Sequence, residues 1–269
     1  MFSKQGALAV IDPDSVSRIL VFGDIHGDLP ALERGLEMRR PDDLLIFLGD
    51  YADRGPRGVE VIEGIHSLMS RTPDKVIALM GNHEDYDANG RPAFTPCTLI
   101  EEADRKRGSW ESFFKNFTLF TDRLSLAAIL PGYALFAHGG IGPEMDTQDV
   151  LEHPVWEVRR QLLWGDPTSE PGEYMSYRGA GRLFGPDVSE DVLNRLGVKK
   201  FIRSHEPRKA NNGPAIEHEG RVITTSATGI YGGRPFVLVL DTGSLPKSNG
   251  EVLEAAVYLD SCGPSDHSV

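Results

Sequence analysis

Cysteine is scarce in this sequence: Cys97 and Cys262 are the only two in 269 residues. So few, so far apart, exclude a disulfide framework and a thiolate metal site, and both thiols are expected to be free. Basic charge is also short, with 28 Lys and Arg against 40 Asp and Glu and a formal charge of −12. That balance argues against nonspecific nucleic-acid binding, which needs a net positive face. A local anion site survives it, because bound cations would dominate the nearby field. No apolar run is long enough to span a membrane. Residues 1–10 carry one lysine and a very short apolar patch, unlike a secretory leader, so a cytoplasmic protein is expected. No composition break or solenoid repeat appears. A single domain over residues 1–269 is expected, with about 1–17 and 260–269 peripheral and the final residues frayed.

What is present gathers around one stretch. The apolar run from Leu44 to Leu48 stops at Gly49-Asp50-Tyr51-Ala52-Asp53-Arg54-Gly55. A run of that length reads as a buried strand and the glycines as a tight turn. Ligands collect at the carboxyl ends of strands in open α/β sheets. Two acids and an arginine there are costly to bury without partners, and a metal and a phosphate would partner them well.

The pattern recurs along the chain. Arg18 to Phe22 ends at Gly23-Asp24-Ile25-His26-Gly27, and Val76 to Met80 ends at Gly81-Asn82-His83-Glu84. Apolar residues at helical spacing, Leu29, Leu32 and Leu36, then Val59, Ile62, Ile65 and Met69, separate these strands. Strand, polar turn and helix in succession imply a parallel sheet with right-handed crossovers. Asp85 to Arg107 reads as a surface loop and a solvated helix, and Trp110 to Phe120 as a core-packed helix. Strands Leu126 to Leu130 and Tyr133 to Ala137 follow, the second ending at His138-Gly139-Gly140. Val150 to Leu163 has a helical pattern interrupted by Pro154, and Thr168 to Tyr177 looks irregular. Arg178 to Gly185 is a glycine-rich loop, Lys200 to Arg203 a strand meeting Ser204-His205-Glu206. Val222 to Ser226, Phe236 to Leu240 and Val252 to Leu259 read as strands.

Five strand ends thus carry Asp24 and His26, then Asp50, Asp53 and Arg54, then Asn82 and His83, then His138, then His205. Mixed oxygen and imidazole donors suit Mn, Fe or Zn. The donors exceed what one ion needs, and two ions sharing a carboxylate account for the surplus. Taken singly, each block is as readily a capped turn or a hydrogen-bonded histidine; the inference rests on their coincidence. His66, His153, His218 and His267 have no such company and read as structural or surface residues.

These blocks resemble the signatures of the phosphoprotein phosphatase family, the serine/threonine phosphatase branch of the calcineurin-like metallophosphoesterases. Leu162-Leu-Trp-Gly-Asp-Pro167, Arg178-Gly179 with Phe184-Gly185, and Ile202-Arg-Ser-His-Glu206 continue the match in order. It runs from about Ile19 to about Ala227. The resemblance implies an α/β metallophosphoesterase fold, a central β-sandwich flanked by helices in four α/β/β/α layers. It implies two divalent or trivalent ions (Mn, Fe or Zn), one held by Asp24, His26 and Asp50, the other by Asp50, Asn82, His138 and His205. A hydroxide between them would attack phosphorus directly, with His83 as general acid oriented by Asp53. Consistently, the sequence has no Cys-x5-Arg loop for a cysteine nucleophile. Arg54, Arg178 and Asn82 would bind the phosphate, and Asp166, Arg203 and Tyr231 would support the ligands from behind, the spacing around Tyr231 differing from that of the family tyrosine near the substrate.

The implied substrate is a phosphoserine or phosphothreonine protein or peptide, with no nucleic-acid or membrane partner. Two segments depart from the eukaryotic pattern: Ser226-Ala-Thr-Gly-Ile-Tyr-Gly-Gly233, where a Ser-Ala-Pro-Asn-Tyr-Cys loop is usual, and Asp85 to Arg107. Two further readings stay open, a symmetrical dinucleoside-tetraphosphate hydrolase using the same metal blocks and a noncatalytic phosphate-binding protein. Tyr51, Asp53 and the Leu-Trp-Gly-Asp-Pro stretch favour the protein phosphatases over the first.

Overall fold

The computed structural model of the chain describes residues 1–259; the tail, Cys262 and His267 lie outside the described residues. Two mixed sheets lie face to face. One has five strands in the order Ala256–Tyr258, Phe236–Asp241, Arg18–Phe22, Leu44–Phe47 and Val76–Ala78. The other has seven: Phe2–Gln5, Leu8–Ile11, Ala127–Leu130, Ala134–Ala137, Lys200–Arg203, Val222–Thr224 and Ala215–Glu217. A small third sheet joins Asp166–Pro167, Arg182–Phe184 and Glu173–Met175.

Side-chain alternation along each strand builds the layers. Ile19, Val21, Leu44 and Ile46 point between the two large sheets, against Ala128, Leu130, Phe136 and Ile202. Their neighbours Leu20, Phe22, Leu45 and Phe47 point outward, beneath helices Leu29–Glu37, Gly58–Arg71, Leu99–Arg107 and Trp110–Thr121. On the far side Ala127, Ile129, Leu135 and Phe201 pack under helices Trp156–Trp164 and Pro186–Arg195. The result is an α/β/β/α sandwich. Both faces of each central strand are covered, which is why the strands read as unbroken apolar runs.

The parallel arrangement holds for Arg18–Phe22, Leu44–Phe47 and Val76–Ala78. It holds also where Lys200–Arg203 lies between Ala134–Ala137 and Val222–Thr224, but Phe236–Asp241 runs antiparallel to Arg18–Phe22, and Ala127–Leu130 forms an antiparallel pair with Ala134–Ala137. The strand expected over Val252 to Leu259 is a helix, Asn249–Glu254, followed by the short strand Ala256–Tyr258. Ser248 and Glu251 form a capping box there, satisfying the first N–H groups and starting the helix. Pro154 divides the other helical stretch into Gln148–Glu152 and Trp156–Trp164. Residues expected at the periphery are built in as well, since Leu8–Ile11 pairs with Ala127–Leu130 and Leu8 and Ala9 are fully buried. The stretch expected to be irregular holds a strand, Glu173–Met175, whose hairpin with Arg182–Phe184 carries Arg178 at its turn. Among the described residues no helix is long and apolar enough to cross a membrane.

Candidate active site

The strands that precede Asp24, Asp50, Asn82, His138 and His205 belong to both large sheets, and all five bring their ends to one edge of the sandwich. The turns are stitched together through the backbone. The amides of Ile25 and His26 both donate to the Asp50 carbonyl, at 3.1 and 2.9 Å, and Gly27 donates to the Tyr51 carbonyl. Of the seven described non-glycine residues with positive φ, five are His26, Asp50, Asp53, Arg54 and His205. Such conformations are sparsely populated and persist only where the surroundings over-determine them, so their concentration here marks a site built for purpose.

Asp50 stands at the centre. Its Oδ2 lies 3.5 Å from His26 Nε2, and its Oδ1 lies 3.4 Å from His138 Nε2. Oδ1 also accepts the His83 amide at 3.0 Å. Around His138 the donors run out. Its Nδ1 faces the Leu48 carbonyl at 3.0 Å, which accepts only, so the proton sits there. The Nε2 lone pair then meets Asn82 Oδ1 at 3.0 Å, His205 Nδ1 at 3.1 Å and Asp50. His26 is set in the same way, with Nδ1 donating to the Ala52 carbonyl at 2.9 Å and Nε2 left free, 3.8 Å from Asp24 Oδ2. That buried Asp24 oxygen has no hydrogen-bond partner, and neither has His205 Nε2.

Burial pushes Asp24 upward in pKa; Asp50 rises well above its usual value through burial and then the charges of Asp24 and Glu84. Burial pulls His26 down to about 4 and sends His138 and His205 well below the usual histidine value. Neutral imidazole lone pairs converging on crowded carboxylates are the condition a pair of cations would satisfy. The donor set therefore fits a two-metal centre, in which Asp50 faces both groups.

His83 and Asp53 form a second unit. His83 Nδ1 donates to Asp53 Oδ2 at 2.8 Å, and His83 Nε2 points back to within 4.0 Å of Asp50 Oδ2. Asp53 is fully buried, and its Oδ1 accepts the amides of Thr98 and Leu99 at 2.5 and 2.9 Å. Asp53 loses the upward push of burial to those bonds and to His83, and its pKa falls. For His83 burial wins, against the raising effect of Asp53.

Here the expectation for Asp85 to Arg107 needs correction: the segment is a wall of the site. Phe94 lies against the His83 ring with centroids 4.2 Å apart, Thr98 and Leu99 hold Asp53, and buried Glu102 caps the amides of Gly58 and Val59. Only the face of Leu99–Arg107 bearing Arg105 and Arg107 is solvated.

A cleft of about 440 Å³ opens over these groups, lined by His26, Asp50, Asn82 and His83 and, at its rim, by Arg54, Arg178, Trp164 and Tyr231. Arg54 is exposed. Arg178 donates from Nε to Asp166 Oδ2 at 2.6 Å. Asp166 in turn accepts from Arg203 at 2.8 Å, so it links the two arginines. Arg203 is fully buried and bound to Glu206, Gly139 and Gly165; it lies beneath the cleft and not in it. Tyr231 packs edge-on against His26 at 5.5 Å.

Several contributors had no role in the sequence reading. Glu84 is buried and accepts three amides, from Asp50, Tyr51 and Gly81 at 2.9 to 3.0 Å, fixing two turns to each other. Ser204 donates to Asp24 Oδ1. Both lie inside quoted blocks, so adjacency to ligands was a usable signal. Phe94 and Thr98 carried none.

Residues 17–209 match the calcineurin-like phosphoesterase family, and the chain belongs to it. The fold and the buried acid–imidazole cluster therefore define a phosphoesterase of a dimetal-dependent family. Among solved structures it is similar to a protein serine/threonine phosphatase from Saccharomyces cerevisiae with similarity to human phosphatase PP5. That match has 24% identity over 97% of this chain and 85% of the other, with a TM-score of 0.79. It is similar too to a candidate diadenosine tetraphosphatase (17% identity, 94% and 98% covered, TM-score 0.51). A cold-active protein-tyrosine phosphatase of a psychrophilic Shewanella species also aligns (14%, 96% and 83%, TM-score 0.59). At these identities the likeness establishes the fold.

Proposed function

We propose that this chain is a metal-dependent phosphomonoesterase acting on phosphoserine and phosphothreonine in proteins. The observation that carries it is the opening of His83, backed by Asp53, into the same cleft as Asp50, Asn82 and the two rim arginines. Asp24, His26 and Asp50 would hold one cation, and Asp50, Asn82, His138 and His205 the other. Bound there, Mn, Fe or Zn supplies Lewis acidity, easing deprotonation of a water and drawing off phosphoryl charge.

The chain's own side chains do the rest. Arg54 and Arg178 fork onto the phosphate oxygens, with Asp166 fixing the direction of the second. Asn82 borders the phosphate position. As a water oxygen bonds to phosphorus, its proton passing to solvent, the bond to the serine oxygen breaks and that oxygen takes the proton from His83 Nε2. Asp53 favours the imidazolium against the burial that lowers the His83 pKa, and it keeps Nε2 aimed at the cleft. No side-chain nucleophile is required.

The substrate assignment is supported by the motif blocks and by the yeast phosphatase that shares the fold over nearly the whole chain. The test is hydrolysis of phosphoserine, phosphothreonine and phosphotyrosine peptides, p-nitrophenyl phosphate and diadenosine tetraphosphate with Mn²⁺ added. Peptide hydrolysis that is abolished by EDTA and by Asp50→Ala supports the reading. Activity that survives both ends it, and faster turnover of the dinucleotide than of any peptide transfers the site to the alternative substrate.

A further inference from the structure

We infer that Arg208, seated on Tyr231, forms a second anion subsite that reads an acidic residue beside the phosphoresidue of the substrate peptide. This deepens the protein-phosphatase reading and rests on it. The rim of the cleft carries Arg54, Arg178, Arg208 and Lys209, in a chain whose formal charge is −12. Arg54 and Arg178 suffice for one phosphate, and Lys209 is engaged by Glu206 and Glu217 at 3.0 and 3.1 Å. Arg208 is surplus. It is exposed, and among the described residues its guanidinium forms no ion pair; it lies over the Tyr231 ring, 5.5 Å from the ring centre.

The perch is fixed in place. The turn bearing Arg208 follows directly from His205 and is closed by the Lys209 amide donating to the Glu206 carbonyl at 3.0 Å. The loop bearing Tyr231 is tied to that turn by the Arg234 amide, 2.6 Å from the Asn211 carbonyl. A side chain at Gly233 would collide with that same carbonyl, so the two backbones touch. Stacking leaves the edge of a guanidinium free to fork onto a carboxylate or a second phosphate. The guanidinium sits two steps of 5.5 Å from the His26 ring, by way of Tyr231. An extended peptide advances about 3.3 Å per residue, so the side chain reached lies one to three positions from the phosphoserine.

The experiment uses metal-loaded full-length protein and phosphoserine peptides with Glu, Ala or Lys placed in turn at each of those positions on either side. The readout is the ratio of kcat/KM for Glu against Ala within one enzyme. Wild type is expected to favour Glu at one position by roughly two- to fivefold, the range for an exposed arginine–carboxylate pair. Arg208→Ala should bring the ratio to about 1, and Arg208→Glu should invert it towards Lys, a gain that misfolding does not imitate. A ratio unchanged in both variants overturns the subsite and leaves the phosphatase reading standing. An effect of the variants on diadenosine tetraphosphate alone overturns it in favour of a polyphosphate. No turnover of any phosphopeptide removes the phosphatase reading, and the subsite with it.

Discussion

Replacing the Asp53 carboxylate by a carboxamide, Asp53→Asn, tests the proton-donor assignment with little change of shape. Asp53 Oδ1 receives three donors, the amides of Thr98 and Leu99 and the Thr98 hydroxyl, while Oδ2 receives only His83. The oxygen of the substituted carboxamide must therefore stay with Thr98 and Leu99, which turns its NH2 towards His83 Nδ1. Two N–H groups now face each other unless His83 gives up the Nδ1 proton. It keeps one proton on Nε2 as a neutral ring, which is a far weaker acid than the imidazolium. A unit charge pair at about 4 Å contributes roughly 4 kcal/mol at an effective dielectric of about 20, and a tenfold change in rate corresponds to about 1.4 kcal/mol. Part of that difference is lost to solvent in the open cleft, so a fall in kcat of about 10²- to 10³-fold is expected on a phosphoserine peptide.

The discriminating assay is the same pair of enzymes on p-nitrophenyl phosphate. Its leaving group departs as a stable anion, so general-acid help is worth little and the fall should stay within roughly threefold. Charge-assisted bonds to Thr98 and Leu99 weaken, so stability should drop by about 1–3 kcal/mol. Thermal unfolding checks this, and rates should be taken well below the transition. Equal losses on both substrates would refute the reasoning and make Asp53 a structural prop. Unchanged peptide turnover would refute it as well.

Three further outcomes follow from the same geometry. Gly49→Ala should destabilise the protein by about 2–5 kcal/mol in denaturant melts. Gly49 has φ of +106°, and an added Cβ would strike the Gly81 backbone, 2.6 Å from its Cα. Arg178→Lys should raise KM for phosphopeptides about tenfold and weaken inhibition by inorganic phosphate, because an ammonium cannot bind Asp166 and fork onto phosphate at once; unchanged inhibition would place Arg178 outside the phosphate site. His218 is buried between Ser189 and the Thr168 carbonyl, and burial lowers its pKa below the unfolded 6.5. A base with a depressed folded pKa stabilises fully above about 6.5 and loses that contribution as pH falls through that value. The gap in Tm between wild type and His218→Gln should therefore narrow from about pH 8 to about pH 5, and a gap that widens contradicts the assignment.

How much of this was legible beforehand depends on the range of the interactions. The ligand-type residues were visible because each follows an apolar run, and Asp24, His26, Asp50, Asn82 and His138 also sit beside a glycine, a local signal that needs no tertiary knowledge. The sandwich was legible only through resemblance: strands covered on both faces carry no period-two alternation to show which way they face. Strand direction in Phe236–Asp241 and the second sheet was invisible, since pairing partners lie far apart in sequence. The largest miss, the segment after Asp85, has a physical reason. Its main service to the site is invisible in side-chain composition: Thr98 and Leu99 reach back 45 and 46 positions to the buried Asp53 carboxylate with backbone amides, which no side-chain pattern reports.

That same fact bears on where substrate choice is made. The turns around Asp50 are locked by Glu84, by Asp50 itself and by strained backbone, and leave little freedom for variation. Phe94 on one wall and the loop from Ser226 to Gly233 on another lie in the segments that depart from the eukaryotic pattern, and both touch imidazoles of the cleft, His83 and His26. A scaffold built this way can hold the hydrolytic centre constant while its rim selects the phosphoester. Chains sharing the fold at TM-scores of 0.51 to 0.79 include proteins described for serine/threonine, tyrosine and dinucleotide substrates. Exchanging residues 226–233 for a Ser-Ala-Pro-Asn-Tyr-Cys-type loop should therefore alter relative kcat/KM among peptides much more than it alters hydrolysis of p-nitrophenyl phosphate. An equal loss on every substrate would instead place that loop among the supports of His26.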